Sequence, residues 1–61
     1  MKYKVLINYH NEVHIFYTHS KSDDKALDNC IKKLSKKVGY TYGFVRCYVR
    51  DGMDRWKVER R

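Results

Sequence analysis

No proline occurs in this chain of 61 residues, and glycine occurs three times. Linkers and disordered arms favour the opposite composition, so the scarcity points to one folded domain spanning residues 1–61. Acidic side chains are also short: seven Asp and Glu face fourteen Lys and Arg, leaving a formal net charge of +7. So basic a body attracts polyanions and repels cationic partners. The two cysteines, Cys30 and Cys47, lack CxxC or Cys/His spacing, which favours buried thiols in a reducing cytoplasm over a disulfide or a zinc site. No apolar run approaches the roughly 20 residues of a membrane span, nor does the N-terminus carry the apolar stretch of a signal peptide. A soluble, unprocessed cytoplasmic protein making no membrane contact is expected.

What is present is a strongly marked helix between Ser22 and Gly39. Leu27, Ile31, Leu34 and Val38 recur at i, i+4, i+7 and i+11, with Ala26 and Cys30 on their flank. Ser22 suits the N-cap, Asp23 and Asp24 the first turn, Lys36 and Lys37 the last, and Gly39 the stop. The opposite face gathers Lys25, Asn29, Lys32, Lys33 and Lys36, offset only by an Asp28 to Lys32 pair at i, i+4.

The flanking segments read as strands. Tyr3, Val5, Ile7 and Tyr9 alternate with Lys2, Lys4, Leu6 and Asn8, and Val13, Ile15 and Tyr17 alternate with His14, Phe16 and Thr18. A three-residue loop of His10, Asn11 and Glu12 keeps both apolar sets on one side, pairing Tyr9 with Val13. Beyond the helix, Tyr40, Thr41 and Tyr42 lead into an expected third strand, where their rings are placed at one end of the core. There Val45, Cys47 and Val49 alternate with Phe44, Arg46, Tyr48 and Arg50, and Asp51-Gly52 signals a tight turn into a fourth strand bearing Trp56 and Val58. The expected fold is therefore α+β: a two-layer ββαββ domain with a four-stranded, mainly antiparallel sheet in order 2-1-3-4 and one helix on one face.

In that arrangement the uncovered face displays Phe44, Arg46, Tyr48, Arg50, Arg55 and Lys57 beside Lys4, Leu6, His14 and Phe16. Guanidinium and ammonium groups neutralise phosphates, and exposed rings stack on bases at about 1–3 kcal/mol each. A small non-enzymatic protein binding DNA or RNA is the leading expectation, with Lys25, Lys32, Lys33 and Lys36 as a secondary basic face. The Leu6 and Phe16 pair supports an alternative, a phage or mobile-element type protein that inhibits or redirects a host enzyme by direct contact, or a homodimer through the same face. The RNP motif of RNA-recognition domains needs a glycine pattern that Phe44 to Tyr48 lack. His10, His14 and His19 make no metal motif, and neither a nucleophile–base set, paired carboxylates nor a phosphate-binding glycine loop occurs. Neither an enzyme nor a cofactor is expected.

Overall fold

β1 (Lys2–Tyr9) and β2 (Glu12–His19) pair as the expected first hairpin, in a computed structural model that describes residues 1–61 except the side chain of Met53. The turn differs from expectation. His10 and Asn11 both take left-handed backbone, φ 51° and 65°, which makes a two-residue type I′ connection whose twist matches that of the strands. The register runs Tyr9↔Glu12, Asn8↔Val13, Ile7↔His14, Leu6↔Ile15 and Val5↔Phe16. This one-residue difference turns β2 over: Val13, Ile15 and Tyr17 face outward, while His14 and Phe16 face the core. His14 is 4% exposed, and its Nε2 lies 3.2 Å from Glu12 Oε1.

α1 (Asp23–Val38) has the expected termini. Ser22 Oγ accepts from Lys25 N at 3.3 Å, and Gly39, at φ 82°, donates its N–H to Ser35 O at 3.0 Å. Leu27, Ile31 and Leu34 are fully buried with Ala26 and Cys30.

The segment expected to be the third strand is instead a second helix, α2 (Tyr42–Asp51). Thr41 caps it, its Oγ1 accepting from Phe44 N at 3.3 Å. Val45 and Val49 satisfy a helical i, i+4 spacing as well as a strand's alternation, and both are fully buried, whereas Cys47 is exposed. Asp51-Gly52 closes no hairpin: Gly52 ends α2 in extended backbone, and a 3-10 turn (Met53–Arg55) leads into β3 (Trp56–Arg60). β3 pairs antiparallel with β1, Val58 opposite Val5 and Trp56 opposite Ile7.

The architecture is thus α+β with a three-stranded antiparallel sheet in order β2-β1-β3 and two helices, not four strands and one helix. The two helices pack against each other over one sheet face, fastened where Arg50 Nη1 meets Asp24 Oδ1 at 2.8 Å and where Tyr42 donates its hydroxyl to Asp28. Tyr3, Val5, Ile7 and Tyr9 supply the sheet's side of the core. No helix among the described residues is long and apolar enough to cross a membrane.

Candidate functional site

The arginine and aromatic residues expected on one sheet face are divided among three places. Phe44, Arg46, Tyr48 and Arg50 ride on α2, and Arg55 lies in the 3-10 turn. His14 and Phe16 point to the helices, their rings stacked at 6.4 Å. Of the expected set only Lys4, Leu6 and Lys57 remain on the uncovered face.

Tyr48 and Arg55, expected to stack on bases and hold phosphate, spend those capacities inside the molecule. The Arg55 guanidinium sits 4.2 Å from the Tyr48 ring centroid and donates from Nη1 to Tyr48 O at 2.7 Å. Tyr9 meets the same ring edge-on at 5.0 Å, His10 lies 4.5 Å from it, and the Tyr48 hydroxyl accepts from His10 N at 3.3 Å. This knot ties the type I′ turn to α2. Arg50 is committed to Asp24.

The helix seam carries the electrostatics. Tyr42 holds its phenol proton above the usual range because it donates to Asp28 and is partly desolvated. Lys32 reaches the same place, 3.7 Å from Asp28 and 5.7 Å from the Tyr42 ring centroid, and the Arg46 charge is close enough to act on that phenol. Outward from the seam, Lys25, Lys32, Lys33, Lys36 and Arg46 are all exposed. Just past the lysine-rich end of α1, Tyr40 and Phe44 stack at 5.2 Å with both rings more than half exposed. Tyr40 therefore does not close the core. Tyr40 precedes the Thr41 cap and Phe44 sits in the first turn of α2, so their contact is set by the chain's entry into that helix.

The uncovered sheet face carries a second group of residues that the expected register had hidden. Val13, Ile15 and Tyr17, 58%, 51% and 58% exposed, form an apolar row along β2, backed by the half-buried Leu6 of β1. Lys4 and Lys57 stand on the same face.

These features define a basic α+β domain with two helices over a three-stranded antiparallel sheet and two separate exposed surfaces. Compared with known proteins, the chain matches no family model, no curated protein and no solved structure.

Proposed function

We propose that the protein is a small non-enzymatic binder of DNA or RNA, and that its contact surface is the helical layer and not the sheet. The observation supporting this is that the exposed cations without a carboxylate partner on the helical layer, Lys25 and Lys36 of α1 and Arg46 of α2, occur together with an exposed aromatic pair, Tyr40 and Phe44, where the two helices join. The lysines and Arg46 neutralise backbone phosphates, while the tilted Tyr40–Phe44 pair offers a ring to an unstacked base. Such contacts position a strand without reading its sequence.

Fluorescence anisotropy with mixed-sequence single- and double-stranded oligonucleotides tests this. Affinity is expected to fall with salt at a log-log slope of about −0.9 per phosphate contact on duplex. The double variant Lys25→Gln/Lys36→Gln should make that slope shallower by nearly two such contacts. Phe44→Ala should weaken single-strand binding by about tenfold and duplex binding much less, since a stacked base is worth about 1–3 kcal/mol. Absence of binding at low salt, or a salt-independent affinity, refutes the proposal.

A further inference from the structure

The sheet has two free edges, and they differ. β3 is five residues long with Lys57, Glu59 and Arg60 along it, the charged, short form that discourages strand addition. β2 is eight residues long, pairs with β1 without a bulge, and carries neither lysine, arginine nor proline. In a two-residue hairpin the pair flanking the turn is hydrogen-bonded and such pairs recur at every second residue, so Tyr9↔Glu12, Ile7↔His14 and Val5↔Phe16 use the inner side of β2. The N–H and C=O groups of Val13, Ile15 and Tyr17 are left pointing outward. Lys33 confirms the geometry, since its Nζ donates to Tyr17 O at 3.1 Å. Lys37 shares that side of α1 one turn further on, at i, i+4.

The geometry points to strand addition on β2 by an extended acidic segment of a partner protein, with apolar and acidic residues alternating. Its backbone pairs with Val13, Ile15 and Tyr17; its apolar side chains extend the exposed row on the open face; its carboxylates, on the other face, meet Lys33 and Lys37. Affinity in this mode comes from main-chain hydrogen bonds and specificity from the alternate side chains. A second copy of this chain is a poor occupant. A two-fold pairing of β2 with itself keeps both helical layers on the same face, so Lys33 and Lys37 of one copy approach those of the other. An acidic strand converts that repulsion into attraction, and Lys33 exchanges the Tyr17 carbonyl for a carboxylate.

The test is an NMR titration of the amide-labelled protein with three short, end-blocked peptides: one alternating glutamate with valine, one alternating lysine with valine, and the glutamate peptide with a central proline. Shifts confined to the Val13, Ile15 and Tyr17 amides and α1 near Lys33, seen with the first peptide alone and weakened about tenfold by Lys33→Glu, support the inference. Equal response to the lysine peptide overturns it, as does equal response to the proline peptide or a response limited to the outer lysines of α1. Concentration-dependent shifts of the β2 amides without any peptide also overturn it, because a second copy is then the occupant.

Discussion

The Tyr9 side chain is buried and its hydroxyl finds no hydrogen-bond partner. A hydroxyl removed from water without compensation destabilises, so Tyr9→Phe should raise stability by about 1 kcal/mol, read from urea midpoints. An unchanged or lower midpoint would mean that the hydroxyl is satisfied in solution. Tyr42 behaves in the opposite way, because its hydroxyl is bonded to Asp28. Its phenol pKa lies above the ordinary 10.0, through the Asp28 bond first and burial second; those of Tyr3 and Tyr9 are raised chiefly by burial. A folded-state pKa above the unfolded one means that the native state holds the proton more tightly. The stabilisation is therefore complete below about pH 10 and is lost as pH rises through the native value. Accordingly Tyr42→Phe should be less stable than the parent at neutral pH, and the gap should close in alkali. A constant gap across the titration would separate Tyr42 from the alkaline transition.

At the scale of elements, local capping and turn chemistry decide what hydrophobic spacing leaves open. α1 was legible because Ser22, the leucine and isoleucine spacing and Gly39 all agree, and β1 because Tyr3, Val5, Ile7 and Tyr9 alternate cleanly. α2 was not, because Val45 and Val49 fit both periods and Asp51-Gly52 imitates a hairpin turn; the deciding signal is the Thr41 cap with Tyr42, Val45 and Val49 at i, i+3 and i+7. The inner face of β2 is hidden by composition, because Val13, Ile15 and Tyr17 are its most apolar residues, yet an edge strand can place a histidine at the rim of the core and leave its valine outside. The helical α2 and the turned-over β2 disperse the expected site, while the lysines of α1 face outward as their spacing predicts. Thr41→Ala should accordingly cost about 1 kcal/mol, the usual loss of an N-cap. Asn11→Gly should stabilise by a few tenths of a kcal/mol to about 1, because its φ of 65° suits glycine better. Were Asn11→Gly clearly destabilising, the His10–Asn11 turn would not be the left-handed pair described.

For the whole molecule the controlling quantity is uncompensated positive charge. Fourteen Lys and Arg occupy a body of 27 × 20 × 16 Å, and among the described residues only Lys32 and Arg50 make ion pairs with carboxylates. Screening reaches about 10 Å at 0.1 M salt and lengthens on dilution, so in dilute buffer the charges on α1 repel those on α2 and on the sheet across the entire fold. Added sodium chloride should therefore raise the thermal midpoint, with the gain concentrated at low ionic strength. For a domain of this size each 1 kcal/mol of relief corresponds to about 4–8 °C. Lys25→Gln/Lys36→Gln should be more stable than the parent in dilute buffer and respond less to salt, since neutralising these exposed side chains removes repulsion and breaks no ion pair. The same substitutions are expected to weaken nucleic-acid binding, so the two effects separate. If the charges serve a polyanion, stability and affinity move in opposite directions. If instead salt lowers the midpoint, attraction outweighs repulsion within the fold, and the basic surface is held by pairs that form in solution.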